Sequence, residues 1–105
     1  MNGRQRLPNR RPSESFDFEC GGQPYQCTFS KFTDARLAEV FIESAKNGSS
    51  ADVASRDAAI ACSFALQYGA DADTLRRALG RDIHGKAQGP LATALDMIIG
   101  LVVLK

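Results

Sequence analysis

The sequence predicts one α+β domain: a small antiparallel sheet of about three strands followed by three helices packed on one face. Three observations predict it. Apolar residues alternate with a period of two between Phe16 and Cys20 and again between Tyr25 and Ser30, and the period becomes helical from Ala51 onward. Runs of strands that precede runs of helices argue for an α+β arrangement rather than a parallel α/β one. A chain of 105 residues, 44% hydrophobic and 24% charged, has the size and composition of one globular domain, and it can bury a core without disulfides or a structural metal.

Residues 1 to 14, MNGRQRLPNRRPSE, are rich in Arg, Pro and Asn and almost devoid of large apolar groups, which predicts a disordered basic arm ahead of a domain over residues 15 to 105. Phe16–Cys20 reads as a first strand. Gly21-Gly22-Gln23-Pro24 supplies turn chemistry, and Tyr25–Ser30, with its β-favouring Tyr, Thr and Phe, completes an antiparallel hairpin. After a turn near Asp34-Ala35, Leu37–Ile42 reads as a third strand, with a short helix as the competing assignment. A polar loop, Lys46–Ser50, leads into an Ala-rich helix from Ala51 to Tyr68, opened by a capping-box pattern at Ser49 and Asp52 and stopped by Gly69. On this helix Val53, Ile60, Phe64 and Tyr68 share a face that Ala58, Ala59, Ala61 and Ala65 widen, while Ser55, Arg56 and Asp57 read as outward. Asp71 or Asp73 can cap a second helix from Thr74 to Leu79. After the loop Arg81–Gly89, Pro90 suits the first turn of a third helix whose inner face is Leu91, Leu95, Ile98 and Val102.

The net charge of +1 conceals an asymmetry. Residues 1 to 12 carry Arg4, Arg6, Arg10 and Arg11 and no acid, so the remaining chain holds nine of the 13 basic residues against all 12 acids. An acidic body repels phosphate backbones, which leaves the arm as the only candidate for nucleic-acid contact. Cys20, Cys27 and Cys62 are odd in number and not spaced as Cys-x-x-Cys, and His84 is the sole histidine, so neither a zinc motif nor a full disulfide set is expected. Reduced thiols and the lack of a secretory signal predict a cytoplasmic protein, and the apolar run Met97–Leu104 is too short to span a membrane.

No catalytic motif is present: there is no nucleophile elbow, Walker loop or zinc-protease helix. Asp71 and Asp73 could be a carboxylate pair, but helix capping explains them. Two loops could take an anion at a helix N-terminus. One holds Lys46 and Ser49; the other holds Arg81, His84 and Lys86 within six residues and contains two glycines. A capped or solvated loop is the plain alternative for each. Beyond the inner face of the third helix, Met97, Ile99, Leu101 and Leu104 point elsewhere and would form an interface, here a homodimer, unless the helix is enclosed by its own domain.

From about Ser15 to Ile99 the chain resembles the TSCPD domain, found at the C-terminal end of adenosylcobalamin-dependent ribonucleotide reductases and in short stand-alone relatives. The resemblance rests on Gly22-Gln23-Pro24-Tyr25, Lys46-Asn47-Gly48-Ser49, Ala65-Leu66-Gln67-Tyr68-Gly69 and the segment from Asp73 to Leu79, in that order. The Thr-Ser-Cys-Pro-Asp string that names the family is absent, as is a Cys-x-x-Cys tail. The reductase's radical chemistry belongs to a large barrel domain that 105 residues cannot house, so the resemblance implies no catalytic residue and no cofactor. It implies an accessory or regulatory module that binds a protein partner, such as a reductase, or a nucleotide phosphate. Two other readings stand beside it: a small redox protein using Cys20 or Cys27, and a nucleic-acid-associated protein using the arginine-rich arm.

Overall fold

A computed structural model describes residues 3–104, with side chains to Gly100. The element order is β1 (Glu14–Cys20), β2 (Gln23–Lys31), β3 (Leu37–Ser44), α1 (Ser50–Gln67), α2 (Ala72–Ala78) and α3 (Pro90–Leu104). This is the α+β architecture the periodicity predicts, and Leu37–Ile42 lies in a strand. The strands form one antiparallel sheet in the order β1-β2-β3. Gly21 and Gly22 adopt φ of 60° and 76°, so β1 and β2 are joined by a two-residue turn with both central residues left-handed, a turn whose twist matches that of the strands. The register sets Phe16 opposite Cys27 and Cys27 opposite Ile42, which puts all three on the helix-facing side.

Helix boundaries follow their capping residues. The Ser49 hydroxyl accepts the Asp52 amide at 3.1 Å, and the Asp71 carboxylate accepts the Thr74 amide at 3.0 Å. Gly69, at φ 107°, turns the chain out of α1. The core lies between the inner sheet face and α1 and α3. Phe18, Tyr25, Cys27, Phe29, Val40 and Ile42 meet Ala59, Cys62 and Leu66 of α1 and Ala94, Leu95 and Ile98 of α3. Ile42, Leu95 and Ile98 are essentially inaccessible, and each contributes about 1.5–3 kcal/mol by leaving water.

The seating of α1 corrects the sequence reading. Val53, Ile60, Phe64 and Tyr68 are exposed, and the buried face is Asp52, Ser55, Ala59, Cys62, Ser63, Leu66 and Gln67. The reason is the position of α1 along β3, an edge strand. The Ser63 hydroxyl accepts the Val40 amide at 2.8 Å and donates to the Val40 carbonyl at 2.9 Å. The Gln67 side chain donates to the Ala38 carbonyl, and the Asp52 carboxylate accepts the Ser44 amide at 2.9 Å. The helix turns polar groups inward because they close the hydrogen bonds that an edge strand leaves open.

Residues 3–13 carry no regular secondary structure, and β1 begins at Glu14, the last residue assigned to the arm. The arm nonetheless makes specific contacts. The Gln5 amide donates to the Gln67 carbonyl at 2.7 Å, and the Arg4 guanidinium lies 4.4 Å over the Phe64 ring. Arg11 makes a bidentate pair with Glu39 at 2.6 and 3.0 Å. Glu39 is only 5% exposed. The segment therefore passes from the C-terminal end of α1, round the start of β3, to the outer face of the sheet, before entering β1 at the opposite edge.

Candidate functional site

The loop before α1 is filled by the chain itself. Asp52 is fully buried, and its carboxylate accepts the amides of Gly48 at 2.9 Å and of Ser44. Those two bonds, with Arg56 3.7 Å away, hold its pKa below the usual carboxylate range against the opposing effect of desolvation. The anion this loop favours is thus the side chain of Asp52. Ser49 is spent on the cap and donates to the Lys46 carbonyl at 2.8 Å, while Lys46 is exposed.

The loop after α2 is divided. Arg81 turns inward and makes bonds of 2.7 and 2.8 Å to Asp96 of α3, and it also donates to the carbonyls of Arg76 and Gly85. Arg76 reaches Asp96 at 3.3 Å. The Arg81 bond, joined by that of Arg76, holds the Asp96 pKa low. His84 and Lys86 lie on the exposed tip, which is folded by the Asp82 carboxylate accepting both their amides, with Ile83 beside them in solvent. The structure therefore does not join Arg81 to His84 and Lys86 as one open cationic cluster. Asp71 caps α2, and Asp73 pairs with Arg76 and Arg77.

On α3, Leu95 and Ile98 are buried and Leu91 is partly so, as the inner face predicts. Met97 is exposed and Ile99 half-buried; the side chains of Val102, the fourth residue of that inner face, and of Leu101 and Leu104 lie outside the described residues. Cys27 and Cys62 are buried, and desolvation pushes their thiols up to about 12 and about 11 respectively, so neither is a thiolate near neutral pH. Cys20 is half-exposed, its sulfur 3.6 Å from the Gln88 carbonyl. Among the described residues no group of three or more His, Cys, Asp and Glu is placed to hold a metal ion, and no described helix is long and apolar enough to cross a membrane.

Two surfaces were not anticipated. The first is the outer stripe of α1, where Val53, Ile60, Phe64 and Tyr68 are 41–49% exposed; Phe41 of β3 lies beside Ile60 and extends it. The i, i+7, i+11, i+15 spacing is visible in the sequence, but its direction depends on the polar face that meets β3. The second is a cavity of about 430 Å³ between the arm and the end of β2, lined by Arg6, Arg10, Arg11 and Lys31 with Phe29 and Phe32. Its cations come from segments 20 residues apart, and nothing local in the sequence joins them.

Comparison with curated proteins finds vitamin B12-dependent ribonucleotide reductases. The chain is 36% identical over 66 residues to that of Agrobacterium fabrum, a match covering 63% of this chain and 5% of the relative. It is 37% identical over 71 residues to that of Streptantibioticus cattleyicolor, covering 68% and 12%. To that of Bradyrhizobium diazoefficiens it is 33% identical over 73 residues, covering 70% and 6%. The chain thus spans only 5–12% of the length of these relatives and is similar to one short region of them. No family model and no solved structure matches it.

Proposed function

We propose that this reductase-related domain is a stand-alone accessory module of the TSCPD type, without chemistry of its own, and that it binds a protein partner, a vitamin B12-dependent ribonucleotide reductase. The similarity to one short region of those enzymes supports the choice of partner. The observation that carries a binding role is the exposed stripe of α1. Three large apolar side chains on one helix and a fourth at its C-cap, with Phe41 adjoining and only Phe64 partly covered by Arg4, form the kind of exposed stripe that soluble domains cover with a partner. Of the two thiols the redox reading would use, Cys27 is buried with its pKa raised, which removes it as a nucleophile, and Cys20 is left as the half-exposed one. The folded-back arm weakens the nucleic-acid reading, because Arg4 and Arg11 are engaged by Phe64 and Glu39.

The test is sedimentation of the purified chain with a purified B12-dependent reductase from the same cell. Co-sedimentation is expected, and Ile60→Glu with Phe64→Glu should weaken it at least about tenfold while leaving the circular dichroism unchanged, because both side chains are exposed. No association at tens of micromolar, or association indifferent to the pair of substitutions, would count against the proposal.

A further inference from the structure

We propose that the cavity under the arm binds a phosphorylated organic anion of nucleotide size, a role independent of the α1 stripe. Its volume of about 430 Å³ lies within the range of small-molecule sites. Four cations line it against a single carboxylate, that of Glu14. Arg11 is neutralised by Glu39, which leaves Arg6, Arg10 and Lys31. Among the described residues these three have no ion pair. Like charges lining one cavity repel each other, and an anion bound there would relieve the repulsion and accept their donors. The remaining lining supplies the apolar half of a site. Phe32, 6% exposed and stacked on its other side by the Arg36 guanidinium at 4.7 Å, forms the floor, and Leu7 and Pro8 come from the arm.

The floor is also rigid. Phe32 donates its amide to the Arg36 carbonyl at 2.8 Å and accepts the Ala35 amide at 2.9 Å, which fixes the turn after β2. The roof is pinned on both sides of the cavity, by Gln5 on Gln67 and by Arg11 on Glu39. Cations around an apolar floor select a ligand with a compact negative end and a flat or apolar body. Inorganic phosphate offers the first feature alone, and an uncharged nucleoside the second alone.

The experiment titrates the full chain with ATP, inorganic phosphate, adenosine and a single-stranded oligonucleotide, following amide chemical shifts. ATP is expected to shift residues 5–14 and 29–33 and to bind at least about tenfold more tightly than phosphate or adenosine. Arg6→Ala, Arg10→Ala and Lys31→Ala together should weaken ATP about tenfold or more, as loss of charge-assisted bonds does. Lys31→Ala alone, which leaves the arm untouched, should move affinity in the same direction. The proposal is overturned by any of four results: no ATP shifts at millimolar concentration, shifts confined to the Arg81–Gly89 loop, equal affinity for phosphate and ATP, or tighter binding of the oligonucleotide than of ATP.

Discussion

Single residues carry several of the strongest constraints. Asp52 binds two backbone amides from a position without solvent access, and those bonds hold its carboxyl pKa below the usual range in the folded chain. A lowered folded pKa means that its contribution is present above the unfolded pKa and is lost as pH falls through the folded one. Asp52→Asn should therefore lower the melting temperature at pH 7 and flatten the loss of stability on acidification, both read by thermal melts across pH. The two buried thiols behave oppositely. Their raised pKa values keep their stabilising contribution whole below the ordinary thiol pKa of 9.0, and it is lost as pH rises toward about 11 and 12. In the native protein at pH 8 only Cys20 should react with a thiol reagent, and Cys27 and Cys62 should follow at the rate of unfolding. Prompt reaction of all three would show the core to be open. Ala35 holds φ at 74°, a left-handed conformation that its Cβ disfavours. Ala35→Gly should stabilise the chain by about 0.5–1 kcal/mol in urea unfolding, the relief of strain exceeding the added freedom of the unfolded chain.

At the scale of elements, what was legible in the sequence was whatever depends on near neighbours. Alternation marked the first two strands, Gly21-Gly22 marked the hairpin, Ser49 marked the start of α1, and the pair Asp71 and Asp73 placed the start of α2 to within two residues of Ala72, because each acts within a few residues. The facing of α1 was not legible. Its polar inner residues are explained by backbone groups of β3, and Ser63 is 23 positions from Val40 and Gln67 29 from Ala38. Hydrophobic periodicity alone chose the wrong face, since the larger side chains lie outside. Ser63→Ala should cost about 1–3 kcal/mol in urea unfolding, because it strands both the amide and the carbonyl of Val40 in the interior. A loss no greater than that of an ordinary surface Ser→Ala change would show that water replaces the hydroxyl. The candidate sites followed the same rule. Charged loops were found by composition, but the pairing of Arg81 with Asp96, 15 positions away, decided that its charge is already matched.

At the scale of the whole molecule, the arm joins parts that the fold otherwise leaves separate. Its anchors lie 63 positions away at Gln67 and 28 away at Glu39, so its composition alone read as a tail. Removing residues 1–12 should lower the melting temperature and weaken any binding to the cavity, yet leave the sheet and helices folded, since the core cluster draws on none of them. An unchanged melting temperature would show that the arm's contacts contribute nothing to stability. The closure of β3 by α1 has a further consequence for how such chains could assemble. Among the described residues no backbone group bonds the outer edge of β1 from Ser15 to Cys20, whereas α1 fills that of β3, so in a polymer chemist's terms the sheet is a monofunctional monomer. Two copies joined edge to edge through β1 would present only capped strands at both ends, so growth would terminate at the pair and no ribbon could propagate from it.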